Sequence, residues 1–388
     1  MMDRPKHILP VIVASQLMGT SLWFSGNAIL EPLQENFALS TGAVGTITSS
    51  VQLGFIGGTL LFAFFTLADK FSPRIVFFIC SVCGALANLG IYFSDSFSSL
   101  LVYRCLTGFF LAGVYPVGMK IAAGWHDRDL GKAIGFLVGA LVIGTALPHL
   151  LKGLGQQLPW QMVIFTVSGV ATLGGLLMLA LVPDGPYLST NSRFHPGALI
   201  KIFRSRLFRA SAFGYFGHMW ELYALWAFIP LVLQEASQDT SGLNIPLGSF
   251  CIIAAGSIGC IGGGLASLKL GSAKVAAVQL SASGICCLLS PLFFFAPLPV
   301  LLLFLIFWGI VVVGDSPQFS TLNAQYAPKE LIGSALTIFN CIGFAITIAS
   351  IQLLSGLTSW LSPQYWLLPL GLGPILGLIF MRPLFQSR

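Results

Sequence analysis

The sequence predicts an all-α membrane protein with twelve transmembrane helices in two pseudo-symmetric six-helix bundles. Three observations predict this class: the composition, a series of apolar runs, and cations confined to alternate loops. The chain is 56% hydrophobic and 8% charged, whereas charged residues make up about a quarter of an ordinary soluble domain. The net charge of +6 is therefore an inner-face bias with attraction to anionic lipid, and we expect no nucleic-acid partner.

The apolar runs are mostly long enough to cross a bilayer, since about 20 helical residues span its hydrocarbon core. The first run is too long for a signal peptide and has no small-residue cleavage site, so we expect a retained helix. The predicted spans are 8–30, 42–67, 75–93, 98–124, 131–151, 162–182, 208–234, 246–268, 274–296, 299–324, 331–355 and 364–381.

The cations fix the orientation, because Lys and Arg in short loops favour the cytoplasmic side. With the N-terminus inside, sixteen of the 19 cationic residues fall in inner segments. Only Lys152 falls in an outer loop, while Arg104 and Lys120 lie within span 4. The sequence therefore predicts an integral protein of a bacterial inner membrane with both termini cytoplasmic. The inner cations are Arg4, Lys6, Lys70, Arg74, Arg128, Lys132, Arg193, Lys201, Arg204, Arg206, Arg209, Lys269, Lys274, Lys329, Arg382 and Arg388.

The chain also repeats itself at an offset near 200 residues. Gly113 and Pro116 of span 4 correspond to Gly314 and Pro317 of span 10, both 201 residues later. The repeat divides the chain into an N-terminal six-helix bundle (1–182), a cytoplasmic linker loop (183–209) and a C-terminal six-helix bundle (210–388). The linker is rich in Pro and Gly at first and becomes basic and amphipathic, as expected of a segment on the inner membrane face. A matched pair of halves places a substrate site at the midplane between them.

These features resemble the major facilitator superfamily, whose signature after helix 2 runs Gly, Asp, basic, Gly, basic. Asp69, Lys70 and Arg74 match that signature, and the resemblance implies that they act in conformational gating. RCLTG, with Arg104 and Gly108, resembles the family's helix 4 signature. Departures from the first signature are Phe65, Ser72 and Pro73, and the second copy keeps Gly264, Lys269 and Gly271 but has Leu268 in place of an acid.

Charges inside the hydrocarbon cost roughly 2.5–3.5 kcal/mol each on insertion scales, so each needs a reason. Glu221 in span 7 and Asp315 in span 10 fall near mid-membrane. Desolvation disfavours a carboxylate there, so either acid can bind and release a proton near neutral pH. Both are proton-coupling candidates, with a purely structural buried acid as the alternative. Arg104 is a third candidate by resemblance, or a donor to backbone carbonyls, and Lys120 either contacts substrate or snorkels to the headgroups.

Aromatic and polar residues collect at the same depth, mostly in spans 1, 4, 7 and 10, which line the cavity in the resembled family. Packing or interface anchoring remains the alternative for each aromatic. With Lys120, the predicted substrate-binding residues are Trp23, Asn27, Tyr115, His218, Trp220, Tyr223, Trp226, Gln318 and Asn340.

Glycine pairs at small-xxx-small spacing allow close helix approach: Gly54 with Gly58, Gly135 with Gly139, and Gly259 with Gly263. We predict no metal, since His149 and His218 belong to no cluster of ligands. No nucleotide-binding loop of the form GxxxxGK[ST] occurs, so the sequence predicts no cofactor and coupling to an ion gradient instead.

The sequence thus predicts no enzyme but a monomeric secondary active transporter in the lipid bilayer, moving a small solute with protons by alternating access. Arg104 and Lys120 favour an organic anion or similar metabolite. The acids and the aromatic span 7 favour the alternative, a proton-driven exporter of amphipathic compounds or drugs. A receptor or lipid-handling scaffold that transports nothing is the alternative from another class.

Overall fold

The computed structural model describes residues 5–40, 42–126, 130–155, 157–188, 197–237 and 242–386, and these residues form helices and turns without a β-strand. The α-helices are α1 Ile8–Thr20, α2 Ser25–Ala28, α3 Leu30–Phe37, α4 Ala43–Phe64, α5 Leu67–Lys70, α6 Pro73–Leu89, α7 Phe97–Leu111, α8 Tyr115–Trp125, α9 Leu130–Leu154, α10 Gln161–Leu181, α11 Ala198–Ile202, α12 Arg206–Ala236, α13 Ile245–Leu270, α14 Ser272–Phe294, α15 Leu298–Gly314, α16 Ser316–Tyr326, α17 Ile332–Leu357, α18 Leu372–Met381 and α19 Pro383–Gln386. Short 3₁₀ helices lie at Gly90–Phe93, Lys329–Leu331, Pro363–Tyr365 and Leu368–Gly371.

Within the described residues, eleven helical segments are long and apolar enough to cross a membrane. They correspond to predicted spans 2 to 12 with ends shifted by a few residues. They are Ala43–Phe64, Pro73–Phe93, Phe97–Trp125, Gly131–Leu154, Gln161–Leu181, Arg206–Ala236, Ile245–Leu270, Ser272–Phe294, Leu298–Tyr326, Ile332–Leu357 and Pro363–Gln386.

The first predicted span is the exception, because its helix is interrupted. The apolar helix α1 has 13 residues, and a turn then separates it from α2 and α3. Serine hydroxyl groups favour this interruption, because they donate to nearby backbone carbonyls and compete with the backbone hydrogen bonds of the helix. Ser21 Oγ donates to Met18 O at 2.6 Å, and Ser25 Oγ donates to Leu22 O at 3.0 Å.

Spans 4 and 10 break at related positions, each just before a proline. The break between α7 and α8 precedes Pro116, and the break between α15 and α16 falls at Asp315, before Pro317. Proline is favoured in a first helical turn, where its missing N–H costs nothing. Each break also leaves backbone groups without helical partners at membrane depth, which is tolerated only inside the protein.

Close helix contacts recur at the same offset as the sequence repeat. A Cβ placed on Gly108 would lie 2.0 Å from Val51 O, and one on Gly309 would lie 2.0 Å from Ile252 O. Both members of the second pair are 201 residues beyond those of the first. Gly58 against Phe109 O and Gly259 against Ile310 O show the same relation, at 2.3 and 1.8 Å. The α4–α7 contact is therefore repeated as the α13–α15 contact.

The two sequence halves pack against each other chiefly through α9 with α13 and through α4 with α17. We call the end of the molecule at which α4 begins the upper end, and the opposite end the lower end. Successive spans run in opposite directions, so α9 and α17 finish at the upper end and α13 begins there.

The predicted linker is described only in part, because residues 189–196 lie outside the described residues. Its first residues contact the lower ends of the N-terminal half. Trp125 Nε1 donates to Pro183 O at 2.9 Å, and Ser72 Oγ donates to Asp184 Oδ1 at 2.8 Å. Arg4, Arg128, Arg193 and Arg388, which entered the prediction of orientation, also lie outside the described residues.

Candidate functional site

Arg104 is fully buried and holds the interrupted first helix. Its guanidinium donates from Nη1 to Ser25 Oγ at 2.8 Å and to Leu22 O at 3.2 Å, and from Nη2 to the carbonyl of Trp23. These carbonyls lie in the turn after α1, where the helix dipole places partial negative charge. None of the hydrogen bonds of Arg104 within the described residues goes to a carboxylate. The structure thus places Arg104 as a donor to backbone carbonyls, and its predicted part in proton coupling stays a prediction.

A polar chain continues from Arg104 into neighbouring helices. Ser25 Oγ donates to Asn88 Oδ1 at 2.5 Å, and Asn88 Nδ2 donates to Ser168 Oγ at 3.0 Å. All three side chains are buried. The chain joins α2, α6 and α10, and it therefore fixes the turn that carries Trp23.

His218 and Asp315 form a buried ionisable pair in the C-terminal half. His218 Nδ1 lies 2.8 Å from Asp315 Oδ1, and neither side chain is exposed. Asp315 Oδ2 and His218 Nε2 have no hydrogen-bond partner within the described residues. Asp315 lies at the break between α15 and α16, next to the helix N-terminus that best tolerates an anion. A proton can reside on either member of such a pair without adding net charge to the interior.

Glu221 lies three residues after His218 on α12 and is also fully buried. Ser283 Oγ donates to Glu221 Oε2 at 2.9 Å, and Cys287 Sγ lies 3.5 Å from the same oxygen. Trp308 Nε1 in turn donates to Ser283 Oγ at 2.9 Å. Glu221 Oε1 has no partner among the described residues. The carboxyl group therefore faces α14 and has one oxygen free to carry a proton.

Lys120 lies at the lower end, in contact with the predicted gating loop. Its ammonium donates to Asp69 Oδ1 at 2.5 Å and to Ala68 O at 2.7 Å. The two side chains are 22% and 15% exposed, so solvent screens the pair only in part. The ammonium neither extends freely to the headgroups nor stands alone in a cavity.

The other gating candidates make separate contacts. Lys70 ends α5, and Arg74 Nη1 donates to Leu179 O at 3.4 Å. The structure therefore brings Lys120 together with Asp69 alone of the predicted gating residues in the contacts described, and the predicted contact of Lys120 with substrate stays a prediction.

An aromatic cluster joins the two halves at the level of the interrupted helix. Trp23 stacks on Tyr223 and on Phe344, each with ring centroids 5.6 Å apart, and Phe55 lies 4.4 Å from Phe344. Every ring of the cluster is at most 3% exposed. We define the aromatic cluster as Trp23, Phe24 and Phe55 from the N-terminal half with Tyr223, Trp226 and Phe344 from the C-terminal half.

The remaining predicted site residues divide into two groups. Tyr215 Oη donates to Asn340 Oδ1 at 3.0 Å, and Asn27 Nδ2 donates to Thr48 Oγ1 at 2.7 Å. Asn340, Asn27 and the partly buried Tyr115 thus belong to the interior. Trp220 does not join them, because its indole Nε1 donates to Pro369 O at 3.1 Å beside the last span. Gln318 is buried on α16, three residues after Asp315.

Polar contacts between the halves occur at the upper end. Ser355 Oγ donates to Gly42 O at 2.6 Å, Gln352 Nε2 donates to Ser49 Oγ at 2.9 Å, and Asn244 Nδ2 donates to Gly153 O at 2.9 Å. A cavity of about 380 Å³ lies beside the first two contacts and is lined by Ser40, Thr46 and Gln352 among others. It is not part of the predicted site, since no predicted site residue lines it.

Several site residues escaped the sequence reasoning. Ser283, Cys287 and Trp308 surround Glu221 from 62 to 87 residues away, and no helical spacing connects them. Phe55 and Phe344 look like ordinary apolar residues in their spans. Asn88 could have been found from the sequence, since an amide within an apolar run needs a partner or a function. Within the described residues no group of three or more His, Cys, Asp or Glu side chains is placed to hold a metal ion.

Membrane-length helices, repeated packing and buried ionisable groups together define a polytopic membrane protein. The chain belongs to the major facilitator superfamily, whose family model matches residues 11–352. It is 28% identical over 209 residues to the putative uncharacterized transporter YgaY of Escherichia coli K12, covering 52% of each chain. It is 24% identical over 152 residues to a D-galactonate transporter of Escherichia coli O6:H1, covering 37% of this chain and 34% of that one. The alignment thus spans about half or less of these relatives' length.

The fold also matches a solved structure, the proton:xylose symporter XylE bound to 6-bromo-6-deoxy-D-glucose. The TM-score is 0.75 at 16% sequence identity, and the match covers 97% of this chain and 94% of that one. The predicted superfamily is confirmed.

Proposed function

We propose that this protein moves a small solute across a bacterial inner membrane by alternating access, driven by protons. In this proposal α1 to α3 complete a twelfth span, residues 1–182 and 210–388 form two six-helix bundles, and 183–209 link them in the cytoplasm. The recurrence of the α4–α7 contact as the α13–α15 contact supports two matched bundles. Transporters with such repeats rock one bundle against the other around a midplane site.

The observation that carries proton coupling is the buried pair of His218 and Asp315 with Glu221 one helical turn away. Both carboxyl groups have an oxygen without a partner within the described residues. Ionisable groups inside a membrane protein are costly, and they commonly mark substrate or ion pathways and proton relays. Protonation of one acid changes the charge of the C-terminal half. A proton can therefore alter the packing between the two halves.

Two variants test this coupling. Glu221→Gln and Asp315→Asn preserve shape and remove protonation, so both proteins should fold. In proteoliposomes with an entrapped pH dye, wild-type protein should show proton flux with at least one of nicotinamide, adenosine, xylose and D-galactonate. At least one variant should lose gradient-driven accumulation of that solute and keep solute exchange.

Asp95→Asn, which alters an acid in the exposed turn before α7, is the matched control and should behave as wild type. If both buried-acid variants accumulate solute normally, proton coupling at these residues is wrong. If none of the four solutes moves protons or exchanges through wild-type protein, the alternative of a receptor or scaffold is favoured.

The geometry changes the relative support for the two substrate classes, organic anions and amphipathic compounds. Arg104 and Lys120 were the reason to favour an organic anion, and both have partners inside the N-terminal half. The aromatic cluster lies between the halves, where a carried solute would bind. The support for an anion is therefore weaker, and the support for an aromatic or amphipathic solute is stronger.

A further inference from the structure

The aromatic cluster has faces that suit a flat solute. Ring planes from opposite halves are nearly parallel: Trp23 and Tyr223 lie at 30°, and Phe24 and Tyr223 lie at 20°. Trp23 also lies at 25° to Phe344. These rings belong to the surfaces that part when the halves move. A small separation would present two facing aromatic surfaces, and a planar ring inserted between them would replace ring–ring contacts with equivalent ones.

The edges of the cluster carry polar atoms that have no partner within the described residues. They are the indole Nε1 atoms of Trp23 and Trp226 and Nε2 of His149; Oδ1 of Asn27, which lies on α2 four residues after Trp23, also has no partner there. Each of these side chains is at most 5% exposed. His149 joins the cluster through Phe24, with ring centroids 6.5 Å apart. Buried polar atoms in native proteins nearly always have a hydrogen-bond partner, so three at this cluster need an explanation.

The charged groups near the aromatic cluster restrict the class of solute further. Among the described residues, Arg104 is a charged group that contacts the cluster directly, whereas the carboxyl groups of Glu221 and Asp315 contact Ser283 and His218. Aromatic boxes often bind organic cations. Here the guanidinium of Arg104 donates to the carbonyl of Trp23 itself, and a second positive charge beside it would be repelled. The same guanidinium is occupied by backbone carbonyls and does not face outward to recruit an anion.

We propose that the transported solute is an uncharged, planar heteroaromatic compound that inserts between Trp23 and Tyr223. Its ring faces contact the aromatic cluster, and its ring nitrogens or amide groups bond to the indole N–H groups of Trp23 and Trp226 and to Asn27. This inference rests on the proposed transport function and names the class of solute. A sugar or polyol fits less well, because its many hydroxyl groups would meet only a few polar atoms.

Binding to purified protein in lipid nanodiscs tests the inference without requiring transport. Nicotinamide and adenosine serve as uncharged planar probes, with xylose and D-galactonate as non-aromatic neutral and anionic probes. We expect nicotinamide or adenosine to raise the melting temperature of the wild type, because a solute that binds only the folded state stabilises it. Xylose and D-galactonate should leave it unchanged.

Two substitutions separate stacking from hydrogen bonding. Trp23→Ala should weaken the affinity for the planar probe about tenfold or more, the effect typical of losing an aromatic stacking partner. Trp226→Phe retains a ring and removes one N–H group, so a loss of about three- to tenfold is expected. Trp360→Phe alters an indole that is 83% exposed and should bind as wild type.

Wild-type stabilisation by xylose or D-galactonate but by neither planar probe would overturn the heteroaromatic assignment and leave transport intact. Equal affinity of wild type and Trp23→Ala for a planar probe would overturn the site. Failure of transport itself is measured separately, by solute-driven proton flux in proteoliposomes.

Discussion

At the scale of single residues, the buried charges of this protein differ in what surrounds them. Arg104 has four acceptors around a helix interruption, and Lys120 has a carboxylate and a carbonyl. Asp315 has an imidazole, and Glu221 has a hydroxyl and a thiol. The two cations therefore hold backbone carbonyls of the N-terminal half in place, although Nε of Arg104, like one oxygen of each acid, has no partner among the described residues. The hydrogen bonds of the cations to the backbone favour the acids as the groups that change state during transport.

The contact between Lys120 and Asp69 gives a prediction at this scale. Lys120→Met should lower thermal stability slightly, because a partly exposed ion pair contributes on the order of 1 kcal/mol or less. Exchanging the residues, with Lys120→Asp and Asp69→Lys together, should recover much of that loss. Melting temperatures of the single and double variants measure the coupling directly.

Lys132→Met, at an exposed lysine near the start of α9, is the matched control. Additive losses in the double variant would contradict a direct ion pair. A selective loss of anion binding in Lys120→Met would instead support the substrate contact predicted from the sequence.

At the scale of helices, glycine spacing carries two different meanings. Gly54 and Gly259 each face a carbonyl of a helix in their own half, where a Cβ would lie 1.8 Å from Cys105 O or Ile310 O. Gly135 and Gly139 face α13 of the other half, with the nearest atoms at 3.5 and 3.4 Å. These contacts within a half are thus fixed by the absence of a side chain, and the α9–α13 contact between the halves is looser at Gly135 and Gly139. A looser contact suits an interface that slides.

Alanine substitutions on α4 and α13 test this difference. Gly54→Ala and Gly259→Ala should each destabilise the protein by about 1–3 kcal/mol, because the backbones must move apart. Gly57→Ala and Gly262→Ala are controls on the same helices, since nothing lies within 4 Å of a Cβ at either position. Thermal melting in one detergent compares the four variants, and equal effects at all positions would show that helix propensity, not close packing, determines the result.

Most helices could be predicted from the sequence, because apolar length and loop charge are local properties. Spans 2 to 12 were placed within a few residues. The interruption of span 1 after Thr20 was not predicted, since Ser21 and Ser25 can bond either to water or to nearby carbonyls, and only the partner Arg104 decides. The site was predicted less completely. Phe55 and Phe344 become neighbours only in the fold, where two spans that are distant in sequence pack together. Trp220 lies on α12 with Glu221 but faces the last span.

At the scale of the whole molecule, the orientation of the protein in the membrane follows from its cations. Lys70 and Arg204 lie at the lower end, and Asp95 lies at the upper end. Single cysteines at 70 and 204 should therefore react with an impermeant maleimide only after cells are permeabilised, because the lower end is predicted to be cytoplasmic. Asp95→Cys should react in intact cells. Wild-type protein, with its eight native cysteines, sets the background, and the reverse pattern would invert the topology.

Alternating access requires the upper end to open, which a covalent link between the halves would prevent. A Cβ on Gly45 would lie 2.7 Å from Ser355 Cβ, and a disulfide needs Cβ atoms about 3.5–4.5 Å apart. A small outward shift of either helix therefore allows Gly45→Cys and Ser355→Cys to form a bond on oxidation. We expect the oxidised double variant to lose solute exchange in proteoliposomes and to regain it after reduction. Each single variant should be unaffected by oxidant.

The matched control is a link that does not join the two halves, so rocking causes no separation. Ser72 Oγ of the N-terminal half and Asp184 Oδ1 at the start of the linker are 2.8 Å apart, so Ser72→Cys with Asp184→Cys should cross-link and still exchange solute. Continued exchange by the fully oxidised 45–355 variant would mean that the upper ends of α4 and α17 need not part. The proposed rocking of two bundles would then be wrong for this protein, because no solute could reach the aromatic cluster from the upper side while that contact stayed closed.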